Sequence, residues 1–545
     1  MKFKDLFEKN RKYFIAILVI MIAGISLRTY HFHDLMRFGT DQARDAALVQ
    51  EYVKGTAPLP LLGPKAGGTT FKMGPIFYYF QYTSARIFGT SPDKMAYPDL
   101  ILGILTIPLL FFFLKKYFSN DISMALTALF AVSFFAVQYS RFAWNPNSLP
   151  FFVMLFLYAF LQTADPEQRK KILWSVITGI ALGVGVQLHT LYMLIIPTVF
   201  VIFSGYLIWR KMIKIRSIII IICIALVLNI PQIISEVTTG SANTKSFFSG
   251  MSTKTEAKLP FPYNITYEIG WHAQSYAMFI TSIGNDRRSD FWAAYDGLRD
   301  NKKCMIGARK YVPSILNLAF GTLLLIIGYN LLIRYLRKER DEKKKNFLKL
   351  ITLYTAVTFI ILIPLSHVLV LRYLLILQFV PFIFLGLIAK FLQERYGSKV
   401  IAKFFLILLL LCGLNIYRAI TELHSFADGN GKLKFAMWGE EEAMGKFIQS
   451  HSIPGQRVRM VFEPQNANKY IRPLSYFAKG IDFPIKPNTG QPLDEKNVAY
   501  FSMILNTKRE KSMQMRRFKG QKFYNITDSA AFGRLIIYKL ELIEP

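Results

Sequence analysis

Residues 11–46 of the chain read RKYFIAILVIMIAGISLRTYHFHDLMRFGTDQARDA. After a basic start, residues 12–28 form an apolar run within the about 17 to 25 residues that a membrane-spanning helix needs. No small-residue cleavage site follows, so the run predicts an uncleaved first span and not a signal peptide. Four of the ten side chains in residues 37–46 are charged. The stretch therefore predicts a membrane helix that ends in a charged segment.

The composition extends this prediction to the whole chain. Its 545 residues are 52% hydrophobic and 15% aromatic, and the mean hydropathy is +0.30, which is rare for a soluble protein of this length. Apolar runs lie at residues 12–28, 97–114, 121–140, 148–162, 172–188, 191–208, 217–234, 313–333, 348–366, 369–389 and 400–418. They predict an α-helical polytopic membrane protein with about eleven transmembrane helices.

The net charge of +31 raises the question of nucleic-acid binding, but the positions of the charges argue against it. With the N-terminus inside, the predicted inner segments hold 26 Lys and Arg residues, and the short outer turns hold one, Arg141. Such an asymmetry is the positive-inside signal of membrane proteins. It predicts a multi-pass protein of the cell (plasma) membrane with a cytoplasmic N-terminus and no nucleic-acid partner.

This topology predicts two domains. Residues 1–419 form the transmembrane domain, with outer loops at 29–96 and 235–312, and residues 420–545 form a soluble extracytoplasmic tail. The tail has a helix-like stretch at Gly439–Ser450, and its strand-like runs are Val458–Phe462, Val498–Leu505 and Leu535–Leu540. These patterns predict a small α/β domain. No internal repeat is apparent, which argues against transporters built from two matching halves.

The first outer loop predicts two helices that lie along the membrane surface. Gln42 to Lys54 has helical spacing, and Asp41 precedes it at the position of an N-cap. After a Gly- and Pro-rich turn, the segment FKMGPIFYYFQYTSARIFG begins a second helix in which Pro75 suits the first turn.

Metal and redox chemistry have little support in the sequence. Cys223, Cys304 and Cys412 are far apart and match no metal or disulfide spacing. The His31-Phe32-His33-Asp34 stretch has metal-binding residue types, but two histidines and one acid are a weak signal. We therefore predict no metal ligands and no certain cofactor, and a divalent metal remains possible but unsupported.

Three short motifs resemble the GT-C membrane glycosyltransferases, in the branch of the protein O-mannosyltransferases and the bacterial aminoarabinose transferases. They are the acidic motif at Asp41 after the first span, the segment Lys72-Met73-Gly74-Pro75 with its aromatic neighbours, and Arg372-Tyr373-Leu374-Leu375 at the outer start of the tenth span. The resemblance covers about residues 10–420 in architecture. It implies a polyprenyl-phosphate sugar as donor and a reaction on the outer side of the membrane.

The motifs depart from the family pattern in three places. The family's Asp-Glu pair is Asp41-Gln42 here, so one carboxylate remains, and its Lys-Pro-Pro is Lys72-Met73-Gly74-Pro75. The turn between the third and fourth spans often carries an acid in the family, whereas here it has Asn145 and Asn147. These differences leave metal use and substrate identity open.

Asp41 is the candidate catalytic residue. An acceptor hydroxyl loses its proton as it attacks the anomeric carbon, and a carboxylate is a suitable general base. A structural N-cap is the alternative role, and the two are compatible.

Three cations are candidates for binding the donor phosphate. Arg372 begins an apolar helix, where a guanidinium either anchors the interface or pairs with a phosphate through two hydrogen bonds. Lys72 either reaches the lipid headgroups or binds the phosphate. Arg44 lies one turn after Asp41 and binds either a phosphate or a carboxylate. Asp45 is on another face and is expected to be structural.

Further residues are candidates for substrate contact. His189 and His367 lie at the outer ends of the fifth and ninth spans, where a histidine is often only an interface residue. Tyr373, Asn145 and Asn147 complete the predicted set. The pair Trp271-His272 in the second outer loop is a weaker candidate for a sugar site.

Together these features predict an inverting glycosyltransferase that moves a sugar from a polyprenyl-phosphate donor to an acceptor of unknown kind. One alternative is a polymerase or ligase of lipid-linked glycans, which would depend on residues of 235–312 such as Arg287, Arg288 and His272. A second is a non-enzymatic transporter of lipid-linked sugars. The predicted spans carry almost no charges, which argues against the transporter.

Overall fold

The structure is a computed structural model, and it describes residues 3–256, 261–284, 304–427, 436–461, 468–477, 481–482, 497–506, 511–512, 516 and 523–543. The first helices in chain order are α1 (Phe3–Thr29), α2 (Thr40–Lys54), α3 (Ile76–Phe88), α4 (Pro92–Met95), α5 (Tyr97–Leu114), α6 (Asn120–Val132), α7 (Phe134–Gln138), α8 (Leu149–Ala164) and α9 (Lys171–Leu188). They are followed by α10 (Thr190–Trp209), α11 (Ile215–Leu228), α12 (Ile230–Thr238), α13 (Ala242–Glu256), α14 (Phe261–Thr281), α15 (Cys304–Lys338) and α16 (Glu342–Leu362). Two 3₁₀ helices (Ile363–Val368 and Leu371–Leu377), α17 (Val380–Tyr396) and α18 (Ser398–Ala427) complete the bundle.

The prediction of a polytopic helical membrane protein is confirmed. Among the described residues, seven helices are long and apolar enough to cross a membrane, and two bent pairs bring the number to nine. The bent pairs are α11 with α12, at 62°, and Leu371–Leu377 with α17, at 49°. The two remaining predicted runs correspond to α6 and α8, apolar helices of 13 and 16 residues. The number of eleven spans therefore stays a prediction.

The segment 235–312, predicted as an outer loop, contains a helix that hydropathy does not reveal. Helix α14 is buried from Gly270 to Ile280 and packs on α15. At the crossing, a Cβ on Gly321 would lie 1.9 Å from the carbonyl oxygen of Ala273, so only glycine allows this approach. Glu268 and His272 lower the hydropathy of α14, although both side chains are buried.

The tail forms an α/β domain, as predicted. Its described elements are α19 (Trp438–Ser450), β1 (Arg457–Met460), α20 (Asn468–Leu474), β2 (Ile481–Asp482), β3 (Val498–Leu505), β4 (Tyr524–Phe532) and β5 (Leu535–Leu542). The sheet order is β2-β1-β3-β5-β4, with β1 parallel to both of its neighbours and β5 antiparallel to β3 and β4. Sequence analysis missed β4 because this edge strand is mostly exposed and lacks an apolar alternation.

The tail docks on the residues that lead into α2. Phe38 N–H donates to the carbonyl of Ala436 at 2.9 Å, and Trp438 N–H donates to the carbonyl of Met36 at 2.7 Å. The buried indole of Trp438 packs against the rings of Phe38, Tyr476 and Phe477. These contacts bury apolar surface and pair backbone groups. The tail therefore fixes the position of Phe38, two residues before α2 begins.

Arg141, the one basic residue of the short predicted outer turns, is buried and serves the backbone. Its guanidinium donates to four carbonyl groups at the C-terminal end of α1, where helix carbonyls have no partner within the helix. The acceptors are Leu27 at 3.1 Å, Arg28 at 2.8 Å, Tyr30 at 2.7 Å and His31 at 3.3 Å. Its position therefore reflects packing and not membrane topology.

His33 links the tail to the bundle through both ring nitrogens. Nδ1 lies 3.1 Å from a carboxylate oxygen of Asp93 before α5, and Nε2 lies 3.1 Å from a carboxylate oxygen of Glu442 in α19. A neutral imidazole donates through one nitrogen only, so two ionised carboxylates require the imidazolium. Partial burial alone would lower the pKa of His33, but the hydrogen bonds and charges of the two acids raise it above its ordinary value.

We expect this junction to weaken as the pH rises. A group whose pKa is raised on folding contributes stability that is present below its unfolded pKa, about 6.5, and is lost as the pH passes the folded pKa. His33→Gln should lower the melting temperature at pH 6 and have a smaller effect at pH 9. The control is His31→Gln, since His31 pairs with the exposed Asp34 of its own segment and contacts the rings of Tyr30 and His424. Equal effects of His33→Gln at both pH values would contradict the imidazolium junction.

Candidate active site

A cleft of about 310 Å³ lies where the ends of several helices meet. Six of the nine predicted site residues line it, although they are far apart in the sequence: Asp41, Arg44, Asn145, His189, Arg372 and Tyr373. Each is at or beside a helix end. Asp41 and Arg44 are in the first turns of α2, Asn145 precedes α8, and His189 precedes α10. Arg372 is the second residue of the second 3₁₀ helix.

Asp41 is not the N-cap of α2, so that prediction was wrong. The helix begins at Thr40, its N-cap is Gly39, and the side chain of Gln42 accepts a hydrogen bond from the Gly39 N–H at 3.0 Å. Gln42 also donates to the carbonyl of Ala143 at 3.3 Å, so it has a structural role where the family has a second acid. The side chain of Asp41 is 52% exposed and is therefore accessible in the cleft.

Arg44 lies between two carboxylates. It donates to both oxygens of the buried Asp45, at 2.9 and 3.1 Å, and to Asp41 at 3.2 Å. Tyr78 donates to Asp45 at 3.0 Å. Burial raises the pKa of the Asp45 carboxyl above its ordinary value, although the hydrogen bonds from Arg44 and Tyr78 act in the opposite direction. The paired geometry favours the ion pair. Asp45 is structural, as expected, and Arg44 orients Asp41, while its contact with a phosphate stays a prediction.

Arg372 is held by aromatic rings. Its guanidinium carbon lies 5.4 Å from the ring centre of Trp144 and 5.1 Å from that of Tyr373, and it donates to the Tyr373 hydroxyl at 3.4 Å. Within the described part of the chain, Arg372 forms no ion pair with a carboxylate. Cation–π contacts orient a guanidinium without neutralising it. Arg372 is therefore positioned to bind an anion in the cleft.

His189 is the N-cap of α10. Its Nδ1 accepts a hydrogen bond from the Leu191 N–H at 3.1 Å, so a neutral ring carries its proton on Nε2. The ring lies 5.7 Å from that of Tyr373, centre to centre. The cap fixes both the tautomer and the orientation of a ring that lines the cleft.

The turn before α8 is fixed by an acid that sequence analysis missed. Asp99, buried near the start of α5, accepts hydrogen bonds from the Trp144 N–H at 3.1 Å and from the Ser148 hydroxyl. The sequence feature that could have identified Asp99 is its place in the first turn of an apolar helix, where an acid is costly unless it is paired. In the same turn, Asn145 donates to the carbonyl of Leu188 at 2.7 Å. Asn147 is buried, donates to the carbonyl of Phe142 at 2.6 Å, and does not line the cleft.

Lys72 does not line the cleft, whereas Lys65 does. Lys65 and Lys72 are paired in an isolated antiparallel bridge, and Lys72 is exposed. Its backbone is held by Asn243, which accepts from the Lys72 N–H at 2.8 Å and donates to the Lys72 carbonyl at 2.9 Å. The sequence feature that marks Lys65 is its position two residues before the Gly67-Gly68 pair.

The other histidine candidates lie elsewhere. His367, in the first 3₁₀ helix, does not line the cleft, and its buried ring nitrogens have no hydrogen-bond partner among the described residues. Trp271 and His272 are buried in α14. Within the described ranges, no group of three His, Cys, Asp or Glu residues is arranged to hold a metal ion.

An apolar groove continues the cleft. It is lined by side chains that include Phe71, Leu194, Phe247, Leu365 and Leu369. The groove and the cleft share four lining residues: Ala66, Thr69, Thr190 and Tyr373. A polar cleft with cations that opens into an apolar groove suits a ligand with an anionic group and a hydrocarbon chain.

This helical bundle, with its cleft at the helix ends and its small α/β tail, has the GT-C fold of membrane glycosyltransferases. The structure of ArnT from Cupriavidus metallidurans bound to undecaprenyl phosphate aligns with a TM-score of 0.50 at 11% identity, covering 97% of this chain and 98% of that chain. The oligosaccharyltransferase of Archaeoglobus fulgidus in complex with Zn and sulfate aligns with a TM-score of 0.51 at 14% identity, covering 96% of this chain and 72% of that chain.

The sequence comparison agrees with the fold. Residues 72–234 match the family model described as dolichyl-phosphate-mannose-protein mannosyltransferase. No curated protein sequence matches the chain. The predicted resemblance to the GT-C glycosyltransferases is confirmed, and the mannosyltransferase model covers a segment that leads from the Lys72 motif to α12.

Proposed function

We propose that this protein transfers a sugar from a polyprenyl-phosphate donor to an acceptor hydroxyl, with inversion at the anomeric carbon. The observation that carries the proposal is one cleft that holds an accessible carboxylate, Asp41, and the guanidinium of Arg372, which pairs with no carboxylate among the described residues. The cleft continues into an apolar groove. ArnT, which shares the fold, has been solved with undecaprenyl phosphate bound. The groove has the chemistry for such a hydrocarbon chain.

In the proposed reaction, the acceptor oxygen attacks the anomeric carbon while the bond from that carbon to the phosphate oxygen breaks. The bonding electrons leave with the phosphate, and the hydroxyl proton passes to the carboxylate of Asp41. Arg372 and Lys65 face the charge that develops on the leaving phosphate, and preplaced cations stabilise such a transition state. Arg44 orients Asp41. A single displacement of this kind inverts the configuration.

The alternative of a glycan polymerase or ligase rests on residues of 235–312. Arg287 and Arg288 lie outside the described residues, and His272 is buried in α14, away from the cleft. The position of Asp41 and Arg372 in one cleft favours the transferase.

The test is incubation of the purified protein in detergent with undecaprenyl phosphate and with the same lipid carrying a single hexose. A ligand that binds only the native state raises the melting temperature as its concentration exceeds Kd. We expect both lipids to raise it and undecanol to leave it unchanged. If neither lipid phosphate stabilises the protein, the proposed donor class is wrong.

We further propose that the cleft faces the outside and the N-terminus the cytoplasm, because the basic residues concentrate on the opposite side. Single cysteines would be placed at the exposed positions Thr70 and Arg340 after Cys223, Cys304 and Cys412 are replaced by serine. An impermeant maleimide should label intact cells at position 70 and label position 340 only after permeabilisation. The reverse pattern would place the cleft in the cytoplasm.

A further inference from the structure

The turn Ala66–Thr69 projects from a short hairpin into the cleft. Thr69 N–H donates to the carbonyl of Ala66 at 3.0 Å and closes the turn. Below it, Ala66 N–H donates to Phe71 at 2.8 Å, and Met73 N–H donates to the carbonyl of Pro64 at 2.9 Å. With Asn243 holding the backbone of Lys72 on the other side, the turn is a fixed part of the cleft wall.

The structure explains why three of the four glycines in this hairpin are glycine. Gly68 has φ +75°, a conformation that favours glycine. A Cβ on Gly63 would lie 2.1 Å from the carbonyl oxygen of Gly74, and a Cβ on Gly74 would lie 2.4 Å from the side chain of Gln187. Gly67 differs, because its φ is outside the left-handed region and a Cβ there would meet no atom within 4 Å. Neither the backbone nor the packing of this chain accounts for a glycine at position 67.

Gly67 is exposed and lines the cleft, and its position along the bound donor follows from the rest of the lining. The apolar groove would hold the hydrocarbon chain. The lining shared by groove and cleft, which is Thr190, Tyr373 and the two ends of the turn, Ala66 and Thr69, marks the place of the phosphate. Gly67 and Gly68 line the cleft and not the groove, as does Asp41. The next group of the donor after the phosphate is the sugar.

The turn also offers hydrogen-bond donors. The N–H groups of Gly67 and Gly68 have no acceptor among the described residues. Both glycines are exposed, so these N–H groups are accessible to a ligand in the cleft, and a sugar hydroxyl oxygen is a suitable acceptor. A residue without a side chain also allows a ligand to approach the backbone closely.

We propose that Gly67 and Gly68 form the sugar-contacting wall of the cleft, and that the absence of a side chain at position 67 sets the size of the sugar that the enzyme accepts. This inference rests on the proposed function. It assigns a contact to the sugar and none to the phosphate or to the hydrocarbon chain.

The experiment compares Gly67→Ala and Gly67→Val with the parent, using two probes: undecaprenyl phosphate alone, and the same lipid carrying one hexose. We expect the valine variant, which adds three carbon atoms, to bind the hexose-bearing lipid at least about tenfold more weakly, because a misfit of one methylene in a pocket already costs about 10- to 200-fold. Binding of the sugar-free lipid should be unchanged. The alanine variant should also bind the hexose-bearing lipid more weakly, with a smaller effect. Because it adds only one methyl group, it can be measured even if the valine variant does not fold.

Gly205 is the matched control, because it lies exposed in α10 and a Cβ there also meets no atom within 4 Å. Gly205→Ala and Gly205→Val should bind both probes like the parent. Unchanged binding of the hexose-bearing lipid by both Gly67 variants would overturn the inference, and so would an equal loss for both probes, which would place the turn at the phosphate. A parent that binds neither probe would instead refute the proposed function itself.

Discussion

Asp41→Asn should leave a folded protein that binds the donor and transfers sugar at least about 10²–10⁴-fold more slowly, the typical effect of losing general acid–base catalysis. The amide has the size of the carboxylate but cannot take the proton of the acceptor hydroxyl. Since Gly39 and not Asp41 is the N-cap, no cap is lost. The stability change should be limited to about 0.3–1 kcal/mol for a negative charge in the first turn of a helix.

Sugar transfer from a labelled lipid donor, measured beside a thermal melt and donor binding, checks this result. Asp45→Asn is not a suitable control, because Asp45 is buried and holds Arg44 with two hydrogen bonds. Asp34→Asn is better matched, since Asp34 is exposed in the same segment and its partner is the exposed His31. Transfer by Asp41→Asn at the parent rate would mean that another group is the base.

Arg372→Met should weaken donor binding about ten- to hundredfold, because hydrogen bonds to charged groups contribute about 1.5–3 kcal/mol. Arg372→Lys should restore only part of the affinity. An ammonium provides the charge, but it lacks the planar fork that forms two hydrogen bonds with a phosphate and stacks on the rings of Trp144 and Tyr373.

The measurement is binding of undecaprenyl phosphate with and without a hexose, and both probes should lose affinity equally because both carry the phosphate. This pattern separates Arg372 from Gly67, whose variants should affect only the hexose-bearing probe. Arg86→Met and Arg86→Lys are the controls, since Arg86 is exposed near the end of α3 and outside the cleft. If the Arg372→Lys variant binds the donor as tightly as the parent, two hydrogen bonds from the guanidinium to the phosphate are not needed for binding.

The local patterns of the sequence predicted the helices well. The runs around the first span and around α5, α9 and α10 match helices of the structure, and the two helices expected after Asp41 and Pro75 are α2 and α3. Hydropathy and helix-start signals depend on neighbouring residues, so they are readable without a fold. Helix α14 was missed for the same reason, because Glu268 and His272 look polar although the surrounding helices bury them.

The site was predicted in part. Motif resemblance named Asp41 and Arg372, and a position at the outer end of the fifth span named His189; the structure brings all three to one cleft. The same reasoning chose Lys72, but the hairpin places Lys65 in the lining, and which lysine lines the cleft depends on a bridge between residues seven positions apart. Asp99 was missed because its function is to accept hydrogen bonds from a turn 45 residues away.

By itself, the sequence determined that this is a helical membrane protein with an acidic motif after its first span, since hydrophobic length and charge are properties of the chain read in order. Only the tertiary structure decided that Gly39 caps α2, that Arg141 serves the end of α1, and that His33 joins the tail to the bundle. Each of these depends on which donor meets which acceptor. Burial makes every unpaired polar group costly, so the fold, and not the local pattern, selects the partners.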